Sequence, residues 1–194
     1  MTAPSAWVAR WAHLVPPGGT VLDVAAGSGR HSAFFAGRGH VVTAVDRDAV
    51  ALAAVALFAK TVVADLEAAP WPFAGRSFDA VVVINYLWRP TFADVVASVA
   101  VGGVLLYETF AAGHESVGRP SRPDFLLARA ELLQLAAGLR IVAFEDGFLT
   151  DPDRFVQRIV AVRESSPARL QRFPLDDRSA GCRSLESIGS GTHE

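Results

Sequence analysis

Three carboxylates stand where an α/β protein places ligand-binding groups. Asp23 sits in Val21-Leu22-Asp23-Val24, just before the small residues Ala25-Ala26-Gly27-Ser28-Gly29. Asp46 closes Ala44-Val45-Asp46-Arg47, and Asp65 closes Val63-Ala64-Asp65-Leu66. Small residues at the end of a strand let backbone approach a ligand closely, and a helix that starts there offers unpaired N–H groups. An acid inside that motif suits a ligand with an ammonium group; a dinucleotide-binding strand would be apolar at the place of Asp23. An acid closing the second strand suits ribose hydroxyls, and Asp65 is placed for an adenine amino group. Each has a plainer reading: Asp23 capping a turn, Asp46 capping the helix that begins near Asp48, Asp65 facing solvent. Together, three acids after three consecutive strands are far more specific than any one of them.

A second group follows the later strands. Asn85-Tyr86-Leu87-Trp88-Arg89-Pro90 follows the fourth and Tyr107-Glu108-Thr109-Phe110 ends the fifth, while the stretch 111–123 holds His114, Glu115, Arg119 and Arg122. Glu108 is the first choice for a base or orienting group, set against a structural salt bridge. Tyr86 is the second, and with Arg89 it would line a substrate pocket unless both simply pack on the next helix. His114 would titrate near neutral pH, against a solvated loop histidine. Arg119 and Arg122 would hold an acidic substrate, against ordinary surface charge. His31, beside Arg30 at the helix mouth, and Trp7, Trp11 and His13 near the N-terminus are read as capping and packing residues that could also border the site.

The elements that position these residues alternate in type. Strands are expected at 20–25, 40–45, 60–64, 78–84, 104–109, 139–144 and 155–162, the run Phe78-Asp79-Ala80-Val81-Val82-Val83-Ile84 giving the strongest signal. Helices are expected from the glycine bend to Gly37, at 48–58, at 90–100 from Pro90, and from Asp124 as cap to Gly138. The last two strands are joined by about ten residues, 145–154, too few for a crossover helix, which predicts an antiparallel hairpin. The expected fold is therefore α/β: a Rossmann-like, seven-stranded, mostly parallel sheet with an antiparallel C-terminal hairpin and helices on both faces. Residues 1–164 form the domain, 1–19 being an N-terminal helix and lead-in. The polar stretch 165–194 reads as a flexible tail.

At 194 residues, 51% apolar and 20% charged, the chain suits one well-buried core. Its longest apolar run, Ala49 to Ala59, falls well short of the roughly twenty residues a membrane helix needs. No signal peptide is visible, so a cytoplasmic protein with no membrane partner is expected. One cysteine, Cys182, excludes an internal disulfide and a multi-cysteine zinc site, and no metal is expected. A net charge of −2 argues against general nucleic-acid binding.

These segments resemble the class I S-adenosylmethionine-dependent methyltransferases over about Val21 to Val162. The resemblance rests on Val21 to Gly29, Asp46, Asp65 with Pro70-Trp71-Pro72-Phe73, Ser77 to Val82, Gly102-Gly103-Val104-Leu105-Leu106 and the closing hairpin. Within the family the chain is most similar to small bacterial enzymes near the tellurite-resistance methyltransferases. The family's usual first glycine is Ala25 here. The resemblance implies S-adenosylmethionine as cofactor, with Asp23, Ala25, Gly27 and Gly29 at its methionine end. It sets Asp46 at the ribose, Asp65 and Leu66 at the adenine and Asn85 near the sulfonium, and counts Arg47 among the cofactor-binding residues. The acceptor is expected to be a small molecule, since Asn85-Tyr86-Leu87-Trp88 replaces the Asn-Pro-Pro-Tyr type used for amino nitrogens of bases or glutamine. The rivals are an RNA or protein methyltransferase and a non-catalytic cofactor-binding scaffold. A nicotinamide-dependent dehydrogenase is disfavoured because the G-x-G-x-x-G spacing is missing.

Overall fold

The computed structural model describes residues 2–166 and 171–175. Its strands are β1 (Thr20–Val24), β2 (Val41–Asp46), β3 (Lys60–Val63), β4 (Phe78–Ile84), β5 (Val99–Phe110), β6 (Arg140–Leu149) and β7 (Arg154–Val162). They form one sheet in the order β3-β2-β1-β4-β5-β7-β6. β3 to β5 pair in parallel, and β7 runs antiparallel to both β5 and β6. The expected doubly covered sheet with a C-terminal hairpin is the one observed.

Successive side chains of a strand point to opposite faces, so a central strand must be apolar at every position. Val81 and Val83 of β4 join Leu22, Val24, Leu105 and Tyr107 on one face, under Phe92 and Val95 of α4 (Phe92–Ala97). Ala80, Val82 and Ile84 join Val21, Val104 and Leu106 on the other, under Trp7, Val8 and Trp11 of α1 (Ala6–Trp11) and Phe35 of α2 (Arg30–Ala36). Ser5 caps α1 by accepting from the Trp7 amide at 3.1 Å. Trp7 and Trp11 meet edge to face, 5.6 Å between centroids, and burying each contributes about 3 kcal/mol. Asp48 caps α3 (Ala49–Val55) through the amides of Val50 and Ala51.

The structure departs from expectation in three places. The helix expected at 90–100 ends at Ala97, because Val99 already pairs with Phe78. The helix expected from Asp124 is only α5 (Glu131–Leu135). Asp124 does not cap it but pairs with Arg122, while Leu127 bridges to Ala111 and is buried with Leu126. Burial of two adjacent leucines draws that stretch into the core as extended chain rather than helix. β6 and β7 also reach further than expected, leaving residues 150–153 as the turn. Of the polar stretch 165–194, Pro174 accepts from the ring of His13 and Phe173 lies under the Arg140 guanidinium; residues 167–170 and 176–194 lie outside the described residues. Among the described residues no helix is long and apolar enough to cross a membrane.

Candidate active site

β1 pairs with β2 on one side and β4 on the other, so strand order reverses at β1, and such reversals open a crevice at the carboxyl ends of the strands. An open cleft lies there, lined by Ala25, Asp46, Arg47, Ala64, Asp65, Leu66, Glu67 and Tyr86. Asp46 organises it. One carboxylate oxygen accepts the Gly27 amide at 2.8 Å and the other the Asp48 amide at 2.9 Å. Each keeps a lone pair beyond those bonds. The Ala26 amide bonds to Val45 O at 3.0 Å, so the loop after β1 is tied to β2 twice.

The loop needs left-handed backbone at Ala25, Gly27 and Gly29, with φ of 53°, 53° and 75°. Gly29 is required on two counts, since a Cβ there would lie 2.4 Å from Val55 Cγ2 of α3. A Cβ on Gly27 would meet nothing within 4 Å, so that side of the loop is open. Ala25 carries its positive φ without glycine, which costs about 1–2 kcal/mol.

Asp65 accepts the Glu67 amide at 2.9 Å and lines the cleft beside buried Leu66. Tyr86 lies on the same wall. Its hydroxyl is buried without a hydrogen-bond partner among the described residues, and burial pushes its pKa up to about 12. Its carbonyl accepts the Tyr107 hydroxyl at 2.6 Å. Asp23 is different. It is 1% exposed, off the cleft wall, and accepts the Ser32 hydroxyl at 2.6 Å. Burial raises its pKa to about 6, with the hydrogen bonds of Ser32 pulling the other way. Asn85 is exposed at φ 58°, donates its amide to Glu108 O at 2.9 Å, and is not on the cleft wall.

The later candidates do not converge on one point. Glu108 is fully buried and faces Arg154 at 3.4 Å and Arg158 at 3.6 Å. Cross-strand register sets Glu108 of β5 opposite Arg158 of β7 and Arg158 opposite Glu145 of β6, and Glu145 and Arg10 extend the ladder. Ser5 donates its hydroxyl to Glu108 at 3.2 Å and its amide to His31 Nε2 at 3.2 Å. His31 is therefore an acceptor at Nε2, and burial, aided by the charge of Arg30, lowers its pKa to about 4.

Arg89 is a clamp. It donates to both oxygens of Glu131, at 2.6 and 2.9 Å, and to the carbonyls of Asp124 and Leu126, at 2.7 and 2.9 Å. The pair with Glu131 raises the Arg89 pKa and lowers that of Glu131. His114 is buried, stacks on Phe110 at 4.3 Å, and its Nε2 bonds Arg119 O at 3.0 Å. Arg119 itself is exposed. A second, solvent-open cavity lies over the loop after β5, lined by Arg89, Ala112, Glu115, Ser121, Pro123, Leu126, Leu127 and Ala128.

Of the residues expected at the cofactor, the structure brings Ala25, Asp46, Arg47, Asp65 and Leu66 into one cleft, and it sets Tyr86, expected with Glu108 on the acceptor side, among them. The sequence reading missed Ala64 and Glu67, which flank Asp65 and were within reach of the same strand-end argument.

Residues 21–102 match a family described as a methyltransferase domain. No curated protein matches the chain in sequence. TehB from Haemophilus influenzae has a similar structure, with a TM-score of 0.71 and 20% identity over 84% of this chain and 64% of that one. A TehB-like SAM-dependent methyltransferase from Corynebacterium glutamicum gives 0.57 at 21% identity over 79% and 84%. The glycopeptide N-methyltransferase MtfA, in complex with S-adenosylhomocysteine, gives 0.55 at 21% identity over 78% and 86%. At these identities the likeness is one of fold. The chain spans just under two thirds of the TehB chain.

Proposed function

We propose that this chain, which carries a methyltransferase domain at residues 21–102 on the Rossmann-like fold of the class I methyltransferases, uses S-adenosylmethionine to methylate a small molecule. The observation that carries the reading is Asp46, which lines the cleft and at the same time braces the Gly27 amide.

The residues present fit the cofactor. The open side of Gly27 leaves room for a ligand against the backbone. Asp46 has lone pairs to accept from ribose hydroxyls, while Asp65 and Leu66 offer an acceptor and an apolar contact for an adenine. Arg47 and Tyr86 complete the walls. Asp23 supports the loop from behind through Ser32. Bound there, S-adenosylmethionine supplies a methyl carbon on a cationic sulfur, already activated toward displacement. The chain's own task is to align an acceptor and exclude water. Glu108, held between arginines, serves that alignment by fixing β5 and the N-terminal segment.

A small acceptor is supported by the cavity over the loop after β5, whose wall residue Arg89 lies three positions beyond Tyr86. The net charge of −2 gives no support to a phosphate-rich partner.

Isothermal titration with S-adenosylhomocysteine tests the cofactor. Micromolar binding is expected, weakened about tenfold or more in Asp46→Ala; no heat at millimolar ligand would overturn the reading. Labelled methyl groups should enter small-molecule extracts. Label in RNA or protein fractions would replace the small-molecule clause, and binding without transfer in any fraction would favour a scaffold.

A further inference from the structure

Resting on the reading above, we propose that the cavity over the loop after β5 selects a small, largely apolar molecule bearing a cationic group, such as an amine, over an anionic one, and that Glu115 discriminates between them. The argument is one of charge left uncompensated on the wall.

Ala112, Pro123, Leu126 and Leu127 make most of that wall apolar, and it carries two ionised side chains, Arg89 and Glu115. Arg89 is committed: its three nitrogens donate to Glu131 and to two backbone carbonyls. An anion approaching it would compete with a carboxylate already bound in a bidentate fork, a geometry among the strongest a guanidinium makes. Arg89 therefore shapes the cavity without attracting anions into it.

Glu115 is in the opposite condition. One of its oxygens accepts the Gly113 amide at 2.8 Å, and among the described residues no basic side chain forms an ion pair with it. The other cations of the loop stand off the wall. Arg122 pairs with Asp124 at 2.8 Å, and neither it nor Arg119 lines the cavity. Both are exposed, as Glu115 is, so position on the wall and not burial sets Glu115 apart. The wall then presents apolar surface, the Ser121 hydroxyl and one free negative charge. That combination favours an apolar body with a cationic handle. The cationic group is the recognition element, and the atom that receives the methyl group is a separate matter.

The test uses two probes of nearly equal shape, phenethylamine and 3-phenylpropionate, titrated into wild type and Glu115→Gln, with and without saturating S-adenosylhomocysteine. Wild type should bind the amine about tenfold more tightly than the carboxylate. Glu115→Gln keeps an oxygen for the Gly113 amide, so it should fold normally and bind S-adenosylhomocysteine as wild type does, yet lose about threefold in amine affinity and narrow the ratio. A carboxylate bound as tightly as the amine, a ratio unchanged in the variant, or no amine binding at millimolar concentration would each overturn the proposal. Failure of wild type to bind S-adenosylhomocysteine would instead strike the cofactor reading, and the titrations without it still read the cavity.

Discussion

Gly27 donates its amide hydrogen to Asp46 at 2.8 Å, so the residue that ends β2 fixes the conformation of the loop that ends β1. The loop's two left-handed glycines then answer to different demands, and substitution separates them. Gly29→Ala sets a Cβ against Val55 at 2.4 Å on a backbone at φ 75°, and should destabilise the fold by about 3 kcal/mol in urea unfolding. Gly27→Ala meets no protein atom and should cost only about 1 kcal/mol. It should nevertheless weaken S-adenosylhomocysteine binding about tenfold, because its methyl group projects into the open side of the loop. Equal stability losses in the two variants would contradict this division.

The partners of Glu108, Arg154, Arg158 and Ser5, support our proposal of a structural role for it in place of the expected base. Removing its carboxylate in Glu108→Ala leaves Arg154 and Arg158 without their buried partner and frees Ser5. Urea denaturation should show a loss of about 3 kcal/mol, while the dissociation constant for S-adenosylhomocysteine stays close to wild type. Glu108→Gln keeps the acceptor for Ser5 and should fall between the two. A Gln variant as stable as wild type but devoid of methyl transfer would restore the catalytic role.

Asp23 and His31 drive the pH dependence of stability in opposite directions. Asp23 titrates near 3.8 when unfolded and near 6 in the fold, where burial favours its neutral form. As pH rises, the unfolded chain ionises first, so this residue makes the fold less stable between about pH 4 and 6, with no further change above. His31 falls from 6.5 to about 4, again through burial. As pH drops, the unfolded chain takes up its proton first, so stability is lost from about pH 6.5 down to 4. Asp23→Asn removes only the first effect. The stability of that variant relative to wild type should rise by something on the order of 3 kcal/mol from pH 4 to 6, then level off. A flat difference across that window would show that Asp23 is not held protonated.

The parallel half of the sheet was legible because β-branched, wholly apolar runs such as Ala80 to Ile84 have few other destinations. Asp46 and Asp65 followed from it, since the length of an apolar run sets where its strand ends and what stands there. The acids and cations of the later segments were not legible in the same way. Arg89 meets Glu131 at a separation of 42 residues, and Glu108 meets Arg154 at 46, distances over which no local pattern carries information. Tyr86 was assigned by its place after the fourth strand; only the strand order, with β4 beside β1, shows that its neighbours are Asp46 and Asp65. The segment 124–138 misled for a third reason. Its leucines fit a helical stripe, and the core claimed Leu126 and Leu127 from an extended chain instead.

The docking of α1 on β7 also bears on how the chain is made. Trp7 donates its indole N–H to Ile159 O, across 152 residues, and Ser5 reaches Glu108 across 103. β7, moreover, sits between β5 and β6, so its place is flanked by two strands that leave the ribosome before it. At about 5–20 residues per second, roughly 8 to 30 seconds pass between the synthesis of Trp7 and that of Ile159. Until then the Trp7 indole lacks its carbonyl partner, and Trp7 and Trp11 have only the part of their surroundings that β1, α2, β4 and β5 supply, without Val160 and Val162. The first helix thus completes its docking only after β7, the last strand, has been made.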